Sequence, residues 1–235
     1  VKDVANKYLG REKSAVSIVL PENCKEVKVS NITQKTEPAK LVSENSNTQK
    51  YQLSNGATLL LTPNRVNDII AISIFAKGGE FIEHIPGTAD LTAAVLTKGS
   101  KKYSSVEFAQ TMEDNGIKIV PSAKADSFNM TVLTTKNDYE KTLELLNEII
   151  NNATLDEFEI EKAKNDELNS IKKSKDVPLN LAVDNYKALI FEGSPYSYSN
   201  NILEKNLPRV TKNDVKNYYD KVFYPQNVVI SINGN

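Results

Sequence analysis

Large apolar residues recur along the chain at two spacings, and the changes between them divide it into elements. Val1, Val4, Ala5, Tyr8 and Leu9 fall at i, i+3, i+4, i+7 and i+8, the stripe of an amphipathic helix, with Gly10 placed to end it. Val16, Ile18 and Leu20 then alternate with smaller or polar residues as in a strand, and Pro21 closes the run. From Glu22 to Lys50 large apolar residues thin out among Lys, Glu, Ser, Thr, Asn and Gln, too few to offset the entropy of ordering a backbone; this predicts a linker. Leu53-Ser54-Asn55-Gly56-Ala57 places an Asn-Gly turn between short apolar runs, the mark of a hairpin, so a domain is expected to start near Tyr51 and run to Asn235.

Beyond it strands and helices alternate. Leu59–Thr62 and Ile69–Ala76 read as strands, and 87–98, with Leu91, Ala94 and Val95 at helical spacing and Gly99 beyond, as a helix. Ser104-x-x-Glu107 is a capping-box pattern opening a helix that stops at Asn115-Gly116, and Ile117–Pro121 and Ser127–Thr135 pair as strands. Asn137 is expected to cap a helix carrying Leu143, Leu146, Ile149 and Ile150. Thr154-x-x-Glu157 should begin another, with Phe158, Ala163, Leu168 and Ile171 on its apolar side. A helix over 179–191, a polar Tyr/Ser loop, a helix over 212–222 and a strand over 228–232 complete the order. Strands separated by paired helices predict an α+β layer with helices on one sheet face. The opening segment (4–20) and the closing one (215–232) share a helix–loop–strand layout, which suits either an internal repeat or two instances of a common unit.

Composition changes this picture little. Lys+Arg 29 against Asp+Glu 30 gives no basic excess for nucleic acid. No apolar run approaches the ~20 residues of a membrane helix, so a soluble protein is expected. The first residues show neither a basic start nor an apolar signal core, which suggests a segment of a longer protein. Cytoplasm and periplasm both stay open. The single cysteine, Cys24, rules out an internal disulfide framework and a thiolate metal site.

Candidate chemistry is sparse. His84 is the one histidine, so no two-His zinc site can be built. Glu80-Phe81-Ile82-Glu83-His84 imitates an inverted zinc helix whose first ligand has become Glu, but Pro86 and Gly87 interrupt the helical turn that both ligands need. Gly78-Gly79 lacks the Lys-Ser/Thr of a phosphate loop and reads as a turn. The acidic and basic residues of 157–173 mix as on a solvated helix face. Ser194, Ser197 and Ser199 have no accompanying base, so a flexible surface loop is expected there.

Taken in order, four motifs resemble the pitrilysin/insulinase family of metallopeptidases, which includes mitochondrial processing peptidases and core subunits of the respiratory bc1 complex. They are Tyr51-Gln52-Leu53-Ser54-Asn55-Gly56, Ala76-Lys77-Gly78-Gly79-Glu80, the run from Gly87 to the Lys98-Gly99-Ser100 exit, and Phe223-Tyr224-Pro225-Gln226-Asn227 with its following strand. The resemblance implies a LuxS/processing-peptidase-like α+β fold with a mainly antiparallel sheet. On its register the family's His-x-x-Glu-His positions hold Asp90, Ala93 and Ala94, and the distal glutamate falls near Asn169 or Ser170, so this segment is expected to carry no metal.

The resemblance further implies that 1–21 closes a preceding homologous domain, 22–50 connects, and 51–235 is the first domain of an inactive half. Zinc would then lie in the other half. Expected partners are the catalytic half of the same chain or a homologous subunit, and peptide substrate, which the family grips along a sheet edge matched here by 117–125, with Ile119, Val120, Ser122 and Ala123 as contacts. The function expected is that of a non-catalytic domain of a zinc metalloendopeptidase, helping to enclose peptides. Two alternatives are a non-proteolytic scaffold of the same fold and a small enzyme using Glu83 and His84.

Overall fold

Alternation along Ile69–Lys77 builds the centre of the sheet: Ile70, Ile72, Ile74 and Ala76 are buried, while Ile69, Ser73, Phe75 and Lys77 between them are exposed. This computed structural model describes residues 39–45 and 47–235; the opening helix and strand, and the repeat they would form with the closing segment, lie outside the described residues. Seven strands are found there: β1 (Lys40–Asn45), β2 (Thr48–Gln52), β3 (Thr58–Pro63), β4 (Ile69–Lys77), β5 (Lys118–Ala123), β6 (Ser127–Thr135) and β7 (Val228–Gly234). They form one sheet in the order β1-β2-β3-β7-β4-β6-β5, antiparallel at every pairing except β3 with β7. Phe128, Met130 and Val132 of β6 and Val228, Ile230 and Ile232 of β7 share the buried face with β4.

The helices are α1 (Thr88–Val95), α2 (Ser105–Asp114), α3 (Tyr139–Asn152), α4 (Glu157–Lys175), α5 (Pro178–Ile190), α6 (Asn200–Asn206) and α7 (Lys212–Val222). Ser104 and Glu107 form the predicted capping box. Two other caps differ from expectation. Asp138 precedes α3 in place of Asn137 and makes no side-chain cap bond, and the Asp156 carboxylate, not Thr154, accepts the free N–H groups of Phe158 and Glu159 at the start of α4. Phe158 is exposed, and Ile160 takes its place on the apolar side of α4. The Tyr/Ser stretch is not a flexible surface loop: a 3-10 turn at Pro195–Ser197 and then α6 occupy it, and Ser197 and Ser199 are buried. Elements of three and seven residues are too short to show an apolar period.

Two apolar clusters result. One lies between the sheet and α1, α3 and α7, with Ala89, Ala93, Leu96, Leu143, Leu146, Ile149, Tyr218 and Val222 on the helix side. The other lies outside it, where Leu91 and Val95 of α1 meet Ile160 and Ile171 of α4, Leu207, Val210 and Val215. α1 is therefore buried from two sides, as the middle of three layers.

The stretch 22–50, expected as a connector, ends in sheet. β1 and β2 pair as an antiparallel hairpin at one edge, with a register irregularity between Leu41 and Ser43. All six residues of β1 are exposed, so its ladder is held by main-chain hydrogen bonds and leaves no apolar alternation to read. The hairpin predicted around Asn55-Gly56 joins β2 to β3, with Leu53 N–H donating to Ala57 O at 2.8 Å.

Candidate functional site

α1 is launched by a tight turn. Glu80 N–H and Phe81 N–H, in the 3-10 turn Gly79–Ile82, donate to Lys124 O and Ala125 O, each at 2.9 Å, tying this turn to the end of β5. Gly79 sits at φ +50°, where a Cβ would lie 2.0 Å from Lys124 O, so only glycine permits the approach. Tyr218 of α7 donates its hydroxyl to Gly79 O at 3.1 Å. The Glu83 carboxylate accepts Gly87 N–H at 3.1 Å and Ala89 N–H at 2.7 Å, occupying the free donors at the N-terminus of α1. His84 beside it is exposed, in the loop where it was expected.

The three expected ligand-equivalent positions on α1 part company. Ala93 packs into the sheet cluster, Asp90 is half-buried and Ala94 is exposed. Asp90, Leu91, Ala94 and Lys98 form one wall of a cleft of about 260 Å³, and Glu159, Lys162, Ala163, Asp166 and Glu167 of α4 form the other. Asn169 and Ser170 are exposed and line no part of it; the carboxylate on α4 that acts on Asp90 is Glu167. Sequence reasoning counted Glu167 only among the charges of a solvated helix face, although it lies within one turn of Asn169.

Burial raises the carboxyls around this turn. Asp90 is pushed up to about 6 by burial and then by Glu167, with Lys124 opposing. Glu80 rises to about 7 through burial and then Asp90, against Lys187 and Lys124. Glu83 rises to about 8: burial outweighs the two N–H bonds it accepts, and Glu80 and Asp90 add to it. At neutral pH burial thus favours the neutral form most at Glu83, less at Glu80 and least at Asp90.

The donor set does not suit a hydrolytic zinc, which takes three protein ligands and a water. Asp90 and Glu167 supply two carboxylates, Glu83 is engaged with backbone N–H groups, and no three His, Cys, Asp or Glu side chains among the described residues come together to hold a metal. No helix of the described residues is long and apolar enough to cross a membrane.

β5 is the sheet edge nearest α1, opposite the β1 edge. Ile119 is buried, Val120 exposed, and Ser122 and Ala123 half-buried, while Pro121, opposite Met130, brings no N–H. The four candidate peptide contacts thus lie on one edge but not on one face.

Residues 59–201 match the family model described as Insulinase (Peptidase family M16). An uncharacterized zinc protease YmxG of Bacillus subtilis is 24% identical over 191 residues, covering 80% of this chain and 46% of that protein. A protein of Helicobacter pylori named non-peptidase homolog YmxG is 23% identical over 149 residues, 63% of this chain and 34% of its own length. Among solved structures, a peptidase M16 inactive domain from Pseudomonas fluorescens superposes with a TM-score of 0.75 at 22% identity, covering 80% of this chain and 47% of that one. The chain spans less than half the length of each.

Proposed function

Since this chain belongs to the insulinase family, peptidase family M16, we propose that it is a non-catalytic domain of a zinc metalloendopeptidase, helping a catalytic half enclose peptides. One observation carries this reading. α1 is retained as a packed central element while the positions that would bind and use zinc hold Asp90, Ala93 and Ala94, with Ala93 committed to the core and Ala94 offering only a methyl group to the cleft. Such a segment contributes shape and charge to a chamber wall, and the metal that acidifies water belongs to the other half, in the same chain or a homologous subunit. The edge of β5 is the surface along which a peptide would lie, through Ile119, Val120, Ser122 and Ala123.

Metal analysis tests the assignment. After dialysis against zinc-containing buffer and then zinc-free buffer, the chain is expected to retain much less than one zinc. One tightly held zinc per chain, released by Asp90→Asn or Glu167→Gln, would overturn it. The second reading, a scaffold without proteolysis, is favoured by the Helicobacter relative's printed name. Reading the full-length protein decides between them: an intact His-x-x-Glu-His with a distal Glu supports the peptidase, and its absence supports the scaffold.

A further inference from the structure

α5 is turned inside out. Its half-buried residues, Asp184 and Ala188, face the molecule. Asp184 accepts Asn200 N–H at 3.0 Å, and Asn180 donates to Ser174 Oγ at 3.1 Å, so polar contacts hold the helix down. The opposite face carries Leu179, Val183, Tyr186 and Ile190, exposed to 71%, 43%, 62% and 55%. Their spacing of four, three and four residues is that of the seam between two packed helices. A surface helix of a lone domain shows the reverse arrangement, apolar inside and polar outside.

We propose that this stripe is a docking seam for a helix from a second domain of the same polypeptide. The relatives extend to more than twice the matched length, enough for another domain of this size. Four side chains expose a few hundred Å², less than the ~800 Å² per partner typical of a stable free complex. A tethered partner needs less area, because the tether supplies the effective concentration. Lys187 is the one cation on α5, which disfavours a lipid surface, where a basic polar face is usual. The inference holds whether or not the protein is a peptidase.

Hydrogen exchange tests it. Amides 181–190 are expected to exchange about 10-fold or more slower in the full-length product of the reading frame than in the 235-residue chain. Leu179→Lys combined with Tyr186→Lys should abolish that difference while leaving the melting temperature of the 235-residue chain unchanged. If the double variant lowers that temperature, Leu189→Lys beside the seam serves in its place. Equal exchange in both proteins would overturn the proposal, as would a reading frame confined to these 235 residues. So would a concentration-dependent dimer of the 235-residue chain that the variant disperses, which would make the occupant a second copy, or variant-sensitive binding to anionic phospholipid vesicles.

Discussion

At the scale of single residues, the turn before α1 makes stability depend on pH in a stated direction. Asp90, Glu80 and Glu83 rise from ordinary values of 3.8, 4.5 and 4.5 to about 6, 7 and 8 on folding. A carboxyl whose folded pKa is raised holds its proton more tightly when folded, so its contribution is complete below the unfolded value and is lost as pH climbs through the folded one. The opposite case is Glu144: burial works against its charge, but hydrogen bonds from Lys102, Lys141 and Tyr103 prevail and hold it down at about 2. Its contribution is lost as pH falls below 4.5. The melting temperature should therefore peak near pH 5 and decline toward pH 8, and Glu80→Gln with Asp90→Asn should flatten the alkaline limb. Calorimetry from pH 4 to 9 measures this; an unchanged melting temperature between pH 5 and 8 contradicts the burial of these groups.

Among elements, β5 combines an open edge with a residue that weakens it. Main-chain bonds supply most of the grip on an added strand and do not depend on metal ligands, but Pro121 withholds one donor and Val120 adds only a modest exposed contact. Unstructured peptides titrated into isotope-labelled protein should shift resonances within 117–125, with dissociation constants weaker than about 1 µM. Submicromolar binding there would make the segment a peptide-binding domain in its own right. The absence of shifts along the edge would favour the scaffold. α1 illustrates the converse: its two apolar faces fix it between the sheet and α4 whatever its cleft-facing side chains are.

For the whole molecule, the sheet and both apolar clusters, among the described residues, run from Ala39 to Gly234. Because apolar residues are sparse in 22–38, limited proteolysis should cut there first and leave a fragment beginning near Ala39 with its melting temperature intact. First cleavage in the β1–β2 hairpin or beyond Tyr51 would show that the sheet depends on what precedes it.

Apolar spacing alone determined the central strands and the long helices, because burial on one face imposes a period of 2.0 or 3.6 on any sequence that folds this way. The Ser104–Glu107 box and the Asn55-Gly56 turn were equally legible, since each satisfies backbone groups within a few residues of itself. Asp90, Ala93 and Ala94 could be placed by family register alone, so the expectation of a segment without the zinc ligands needed no coordinates. Tertiary structure decided what depends on distant partners. β1 joined the sheet through main-chain bonds that leave no side-chain pattern, and Ser197 and Ser199 were buried by packing rather than by any local signal. Glu167, not Asn169 or Ser170, came to act on Asp90, because which side of a long helix faces the cleft is set by the cluster of Leu91, Val95, Ile160 and Ile171 beneath it. The helix over 179–191 was legible in the sequence, but only the fold showed that Leu179, Val183, Tyr186 and Ile190 lie on its outward side.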